Sequence, residues 1–477
     1  GEMHNWVQWF AGLTMARKAA LVFLVSYLAV WAQFALTQTP PAPAADALGY
    51  VSLANNLTHR GVLSAIPEGN QPTPFYAPLY PLFLSAIAHV DSGMAEALRC
   101  FGAAAYRPGS ATCTAAFQSV YYVHLVFAAL TLTIIWFAGL LIFRSSMLGI
   151  LAAVSCFATG RLALFSGLLL TENLFIPFMA AASLFFTLSV RERRWHDFLC
   201  CGIALGLAAL TRPTGHYAFL AIVCFLIVYG LYVFARRRAK SLILGSGIVC
   251  IAYLAAVSPW LLRNSSEFGS PFLTRGYASF ILVERVAYNR MTGRDLSVSL
   301  VYWLPWPGQQ LAESWFDSSI LEKLSFEGLE SLYVQGNIEK QTLREQMQNE
   351  EDRFSYLLIE RVFGDFFKHA TVTVALAYRG IWIVKYWTLL AVPVLFYLIW
   401  RAMRHRRDVD YLTFMGPALF MLFFHAFVSV NIHRYNLILL PSLSLAMAWL
   451  AMRVFTLSFV RRRIPAAWSN LLSIPAD

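Results

Sequence analysis

Ten apolar stretches dominate the chain, near residues 19–37, 116–143, 146–160, 163–190, 197–212, 216–235, 241–262, 382–400, 411–431 and 436–456. A helix that crosses the hydrocarbon core of a bilayer needs roughly 20 mostly apolar residues, and several of these stretches qualify. Inside lipid the backbone must satisfy its own N–H and C=O groups, so runs of this kind fold as helices. Of 477 residues, 58% are hydrophobic and only 13% charged, with a mean hydropathy of +0.57. No soluble core needs so much apolar surface. The expected fold is all-α and polytopic, with about 10 (10–12) transmembrane helices. The stretches at 146–160 and 197–212 are short, so the count could move by two. Glycine and proline are spread along the chain, without a low-complexity tract or an internal repeat.

A net charge of +11 raises nucleic acid as a partner, but the basic residues gather at the ends of apolar spans, as the positive-inside rule requires. No nucleic-acid partner is expected; membrane lipid is. Arg17 and Lys18 precede the first span and place the N-terminus in the cytoplasm. Arg144, Arg191/Arg193/Arg194, Arg236–Arg238 with Lys240, Arg401/Arg404/Arg406/Arg407 and Arg461–Arg463 then fall on the same side, with both termini inside. Gly1-Glu2 reads as a cloning remnant. The first apolar stretch, about Ala19 to Leu36, is long enough to stay as a span and is not read as a cleaved signal peptide.

Two long loops, 38–115 and 263–381, are left facing outward. The chain divides accordingly into an N-terminal membrane module (1–262) that carries the first loop, an external segment (263–381), and C-terminal membrane helices (382–477). Gln335 to Arg361 is charged and helix-favouring, with Glu339, Arg344, Glu345, Glu350 and Arg353, and reads as a small external helical subdomain. Tyr356, Leu357, Leu358, Ile359, Val362 and Phe366 continue it toward the membrane surface. Cys156, Cys200, Cys201, Cys224 and Cys250 fall in or beside spans and read as small apolar fillers. Only Cys100 and Cys113 share an outer loop, where a disulfide would suit an oxidising compartment.

The chemistry-bearing residues sit around these loops. Asp46 opens an amphipathic stretch with Leu48, Val51, Leu53 and Leu57 at roughly helical spacing. It can be a helix cap or a general base that needs an acceptor hydroxyl within hydrogen-bond reach, and the two roles are compatible. Pro72, Pro74, Pro78 and Pro81 restrict their own backbone and that of the residues before them. They predict a rigid re-entrant turn against the bilayer, with Phe75, Tyr76 and Tyr80 as interfacial anchors and a surface helix over 82–90. Thr171-Glu172-Asn173 interrupts an apolar run, and an ionisable residue within a span usually faces a cavity or a partner. Leu210-Thr-Arg-Pro213, Ser258-Pro-Trp-Leu-Leu-Arg-Asn264 and Asn431-Ile-His-Arg-Tyr435 each put an arginine at an outer helix end. Arginine grips phosphate through a planar fork. Each one alone could instead snorkel to lipid headgroups; three in turn motifs suggest a shared anionic ligand.

Taken in order, Asp46 to Tyr50, Pro78-Leu-Tyr-Pro81, Leu170-Thr-Glu-Asn-Leu174, Leu210-Thr-Arg-Pro213, Pro259-Trp-Leu-Leu-Arg-Asn264 and His433-Arg-Tyr435 with Pro441 resemble the GT-C superfamily of membrane glycosyltransferases. The resembling branch holds the protein O-mannosyltransferase-like and aminoarabinose-transferase-like bacterial enzymes. The resemblance implies a polyprenyl-phosphate sugar donor, an active site at the outer face of a bacterial inner membrane, and inversion at the anomeric carbon. It casts Asp46 as the base, Glu172 as an acid near the donor pocket, and Arg212, Arg263 and Arg434 as phosphate ligands. Tyr50, Tyr80, His433 and Tyr435 join the substrate-binding set. Many relatives carry two adjacent acids in the first loop, where this chain has Asp46-Ala47. The aminoarabinose enzymes have a lysine before the proline turn, where Gln71 and Thr73 flank Pro72. Both departures favour the broader bacterial branch over that one substrate.

The expected function is therefore an inverting glycosyltransferase that moves a sugar from a polyprenyl-phosphate carrier to a lipid- or polysaccharide-linked acceptor. No nucleotide-binding glycine loop is visible. No cofactor is certain; a divalent metal stays open, although the outer loops show no compact Asp/Glu/His cluster. A transporter or flippase of lipid-linked sugars is the alternative from another class, but it would more often show repeated halves with broken helices. A ligase or polymerase that uses lipid-pyrophosphate donors would carry its large loop late, against the motif in the first loop.

Overall fold

The computed structural model describes residues 12–108, 113–233, 239–404 and 409–456, and every regular element among them is helical. Gly1-Glu2, Arg236–Arg238, Arg406, Arg407 and Arg461–Arg463 lie outside the described residues. The first half holds α1 (Met15–Thr37), α2 (Asp46–Arg60), α3 (Leu79–Val90), α4 (Ser92–Phe101), α5 (Gln118–Phe143), α6 (Ser146–Ala158), α7 (Arg161–Ser166), α8 (Glu172–Glu192), α9 (Trp195–Thr211), α10 (Gly215–Tyr232) and α11 (Ala239–Phe268). The segment that follows holds α12 (Tyr277–Ala287), α13 (Gly293–Tyr302), α14 (Gly308–Trp315), α15 (Ser318–Leu324), α16 (Leu332–Gln346), α17 (Glu350–Tyr356) and α18 (Phe366–Ile381). The chain then returns through α19 (Lys385–Arg404), α20 (Val409–Val428), a 3-10 turn (His433–Leu439) and α21 (Leu440–Thr456).

Among the described residues, eight helices are long and apolar enough to cross a membrane, and α6 and α9 are shorter apolar helices at the two stretches read as short spans. This is an integral membrane protein. The ten expected spans correspond to ten helices, with two corrections. The stretch 163–190 is not one span: α7 ends at Ser166, and α8 begins at Glu172. A break there frees backbone carbonyls, and Asn173 meets them, since its Nδ2 donates to the carbonyls of Phe165 (2.9 Å), Leu168 (2.9 Å) and Leu170 (3.2 Å). Glu172 is thus a first-turn residue rather than a mid-span one, where the helix dipole favours a carboxylate. The second correction is at Pro259. The helix expected to end near 262 runs on to Phe268 with Pro259 inside it. Proline in a helix loses one hydrogen bond, and membrane helices tolerate this when neighbours supply other partners.

α8 is the central span, with 78% of its apolar window buried, whereas α1 at the edge of the bundle has 17% buried. α9 packs against both α8 and α11. It stops at Arg212, whose backbone is extended (φ −142°, ψ 130°) ahead of Pro213. The chain then doubles back so closely that a Cβ on Gly215 would lie 2.7 Å from the Ala208 carbonyl carbon. Only glycine fits that approach. Arg191 closes α8 at the end away from Glu172, where it pairs with Asp410 at 3.1 Å.

The segment between α11 and α19 is helical, as its composition suggests, but its charges are not simply solvated. Glu339 pairs with both Arg290 (2.5 Å) and Arg361 (2.6 Å), and Lys340 pairs with Glu284. A small separate core forms from Leu282, Val283, Val286, Leu343, Leu357 and Val362, so Leu357 and Val362 turn inward rather than toward the membrane. Arg285 ties this layer to the bundle. It is fully buried, and its Nε donates to the Ala426 carbonyl (2.6 Å) and its Nη2 to the His369 carbonyl and the Thr373 hydroxyl (both 2.9 Å). Burial, helped by the charge of Arg379, pulls its pKa down to about 9. Cys100 and Cys113 form the expected disulfide, with Cα atoms 5.9 Å apart.

Candidate active site

The site is built where three helix ends meet: the start of α2, the start of α8 and the turn after α9. Asp46 is the first residue of α2 and follows Ala45, which holds φ 48°. The other side is set by Asn431 at φ 52°, just before the 433–439 turn. Non-glycine residues with positive φ cost energy and tend to cluster at functional sites. Here the two stand ahead of Asp46 and Arg434.

These strained turns bring together residues 388 positions apart: Arg434 Nη2 lies 2.6 Å from Asp46 Oδ2. Arg434 also reaches Glu172, its Nε 3.0 Å from Oε1, although that contact is not aligned as a hydrogen bond. Arg212 closes the chain from the far side, with Nη1 3.0 Å from the same Oε1. Glu172 is buried, its side chain 3% exposed, whereas the Asp46 side chain is 56% exposed. The Arg212 guanidinium lies over the rings of Tyr435 (5.0 Å) and Phe175 (5.5 Å). One carboxylate is therefore locked between two cations, and the other stands open to a cavity. Asp46 is not a helix cap here; its carboxylate pairs with arginine instead.

That cavity, of about 410 Å³, is lined on one side by Asp46, Tyr50, Glu172, Arg212, Arg434 and Tyr435. Its volume falls within the usual range for small-molecule pockets. The opposite wall comes from the segment between α11 and α19: Tyr277, Phe280, Ile281 and Glu284 on α12, and Tyr333, Asn337 and Lys340 on α16. Lys340 Nζ lies 3.6 Å from the centre of the Phe280 ring. Burial raises the pKa of Glu284, against the pull of Lys340. Burial also raises the hydroxyls of Tyr50 and Tyr277 above the ordinary phenol value, so both face the cavity as neutral donors.

Five of the nine residues read from the sequence as catalytic or substrate-binding line this cavity besides Asp46: Tyr50, Glu172, Arg212, Arg434 and Tyr435. Three do not. Arg263 lies inside α11, stacked on Trp260 (4.7 Å) and Phe268 (5.3 Å) and bonded to Asn264, in a separate groove with Glu267. The continuation of α11 through Pro259 put it there. Tyr80 is fully buried behind Tyr50, their ring centres 5.2 Å apart, and does not line this cavity. His433 lines a neighbouring chamber, which shares Arg434 with this one. The proline turn is also corrected. Phe75 and Tyr76, read as interfacial anchors, wall the site, Phe75 packing on Tyr277 and Phe280 at 5.4 Å.

Among the described residues no group of three or more His, Cys, Asp and Glu could hold a metal ion. Asp46 and Glu172 each already face an arginine, so a cation placed between them would have to displace Arg434. The donor set does not fit a divalent metal.

Residues 111–262 match the family model described as dolichyl-phosphate-mannose-protein mannosyltransferase. Over these residues the match agrees with the resemblance to protein O-mannosyltransferase-like enzymes. The matched segment contains Glu172 and Arg212 but neither Asp46 nor Arg434. Among solved structures, the apo oligosaccharyltransferase of Archaeoglobus fulgidus is similar at 12% identity and a TM-score of 0.49, over 96% of this chain and 52% of that one. The chain thus spans about half the length of that archaeal protein. ArnT from Cupriavidus metallidurans is similar in its apo state (14% identity, TM-score 0.33, 91% of this chain and 77% of that one). It is also similar in its form bound to undecaprenyl phosphate (12% identity, TM-score 0.34, 94% and 79%). All three likenesses are remote. No curated protein matches the sequence.

Proposed function

We propose that the protein is an inverting glycosyltransferase that takes a sugar from a polyprenyl-phosphate carrier and passes it to a hydroxyl of a lipid- or polysaccharide-linked acceptor at the outer face of a bacterial inner membrane. The observation that carries this reading is the asymmetric acid pair. Glu172 is buried between Arg212 and Arg434, while Asp46 opens on the cavity. In this reading the acceptor oxygen attacks the anomeric carbon as its proton passes to the Asp46 carboxylate. The bond from that carbon to the phosphate oxygen breaks, and the phosphate leaves with the electron pair. A single displacement inverts the anomeric centre. Charge grows on the leaving phosphate, and fixed cations near it lower the barrier. Arg434 is suited to this, because it touches Asp46 and can follow the charge as the base takes its proton.

The fixed charges of the cavity nearly balance: Asp46, Glu172 and Glu284 face Arg212, Arg434 and Lys340. Such a site suits an uncharged sugar held by hydroxyl hydrogen bonds, with Tyr50, Tyr277 and Asn337 in reach of it. The test is turnover by the purified protein in nanodiscs, with a panel of polyprenyl-phosphate sugars and membrane glycolipids followed by mass spectrometry. A sugar-sized mass gain on an acceptor supports transfer. Scrambling of labelled lipid across vesicles without any product would instead make the protein a flippase.

A further inference from the structure

Beside the acid-lined cavity lies a second chamber of about 580 Å³, and Arg434 lines both. Its electrostatics are the opposite. Arg161, Arg379, Lys385 and Arg434 contribute four cations to its lining, and among the described residues neither Asp nor Glu lines it. No carboxylate among the described residues pairs with Arg161, Arg379 or Lys385 within ion-pair distance. Lining of one sign, with low-dielectric walls, concentrates the opposite ion.

Arg379 makes the case specific. It is 2% exposed, yet its partners are a phenol and a carbonyl: Nη1 donates to the Tyr288 hydroxyl at 3.2 Å and Nη2 to the Val430 carbonyl. Three rings, those of Tyr288, Trp303 and Phe326, hold its guanidinium at 4.6–4.9 Å. Its Nε has no hydrogen-bond partner among the described residues. A buried donor left unmet is costly, and a buried cation without a counter-ion more so. Both costs fall away if an anion occupies the chamber, and a guanidinium edge matches a phosphate fork.

The mouth indicates the kind of anion. Lys385 begins a membrane-spanning helix, and Trp306 and Tyr386 stand at 57% and 59% exposure with ring centres 6.0 Å apart. Aromatic residues at span ends favour the headgroup level of a bilayer. We infer that this chamber is a phosphate-ester seat, reached from the membrane surface and joined to the acid-lined cavity through Arg434. The assignment of the ester as a reactant of that cavity rests on the glycosyl-transfer reading; the seat itself rests on the chamber. Within that reading the work is divided. Arg212 is spent on Glu172, and the uncommitted positive charge that can receive phosphate lies in the second chamber, on residues in none of the motifs that resemble GT-C.

Two esters share this chemistry, an isoprenyl phosphate and a phosphorylated glycan headgroup. The experiment is calorimetric binding to the full-length protein in detergent, with citronellyl phosphate, citronellol, glucose 1-phosphate and glucose as probes. The expected result is that one phosphate ester binds at least ten-fold tighter than its neutral counterpart. Arg161→Gln/Lys385→Gln should lose at least ten-fold of that affinity, at unchanged melting temperature because neither side chain is fully buried. Arg379→Lys, which keeps the charge and loses the fork, should lose part of it. Preference for citronellyl phosphate assigns the seat to the lipid carrier, and preference for glucose 1-phosphate assigns it to a glycan headgroup. If neither ester outbinds its neutral counterpart, or the double variant binds as wild type does, the seat is refuted. Turnover in the nanodisc assay is a separate readout, so the seat can fail while transfer stands, and the reverse.

Discussion

Replacing Glu172 tests the buried ion chain directly. Its carboxylate is 3% exposed and sits 3.0 Å from Arg212 and 3.0 Å from Arg434, whose side chains are 10% and 28% exposed. Glu172→Gln removes one negative charge and leaves two cations facing each other across a polar amide. Losing one partner of a buried pair costs about 3–5 kcal/mol, and this change should fall at the upper end because two partners are stranded. Arg212→Met strands less, since Glu172 keeps Arg434, and should cost roughly 2–3 kcal/mol, near or below the low end of the same range. The double variant Glu172→Leu/Arg212→Met removes both buried charges and should cost less than Glu172→Gln alone. With an unfolding entropy of about 2.1 cal/mol/K per residue, a chain of this length loses roughly one degree of melting temperature per kcal/mol. Glu172→Gln should then melt about 4–5 °C below wild type, by tryptophan fluorescence in one detergent. If it melts within a degree of wild type, or if the double variant loses the sum of the singles, the chain of charges does not stabilise the site as argued.

Three further outcomes follow from particular contacts. Gly215→Ala should destabilise by about 1–3 kcal/mol through overpacking, since its Cβ would meet the Ala208 backbone at 2.7 Å; thermal unfolding checks it. His369 is held neutral, its Nε2 donating to the Phe427 carbonyl (2.9 Å) and its Nδ1 accepting from Asn289 (3.0 Å). Burial first, and then the charge of Arg285, pull its pKa from 6.5 down to about 4. The unfolded chain takes up that proton first, so stability is full above pH 6.5 and falls as pH drops toward about 4, by up to roughly 3 kcal/mol. Melting curves over that window should slope down in wild type and flatten in His369→Gln. Reduction of Cys100–Cys113, which closes a loop with a sequence separation of 13, should cost about 3 kcal/mol and lower the melting temperature without dissociating any helix of the bundle, as judged by far-UV circular dichroism.

The membrane architecture was legible because lipid allows one solution to a long apolar run. The turn at Arg212 was legible too, since Pro213 and Gly215 restrict the backbone there whatever surrounds them. Asp46 and Arg434 were each readable as candidates, but their pairing across 388 residues was not. The break before Glu172 escaped notice because Asn173 acts through three hydrogen bonds to carbonyls, and periodicity carries no trace of that. Arg263 misled for the converse reason: a Pro-to-Arg motif looks like a helix end, yet the helix continues. Phe75 and Tyr76 show the limit of hydropathy, which cannot tell a lipid contact from a protein wall. Glu284 and Lys340 fall at helical spacing from Tyr277 and Asn337, and on sequence alone such charges are indistinguishable from a solvated face.

The measurement that bears most directly on the central claim is transfer by Asp46→Asn at saturating donor, beside donor binding by the same preparation. Asp46 is more than half exposed, so its replacement should shift stability by less than about 1 kcal/mol. Loss of a general base should lower turnover by about 10²–10⁴-fold while donor affinity holds within a few-fold. Undiminished turnover in Asp46→Asn would contradict the account and remove Asp46 from the reaction.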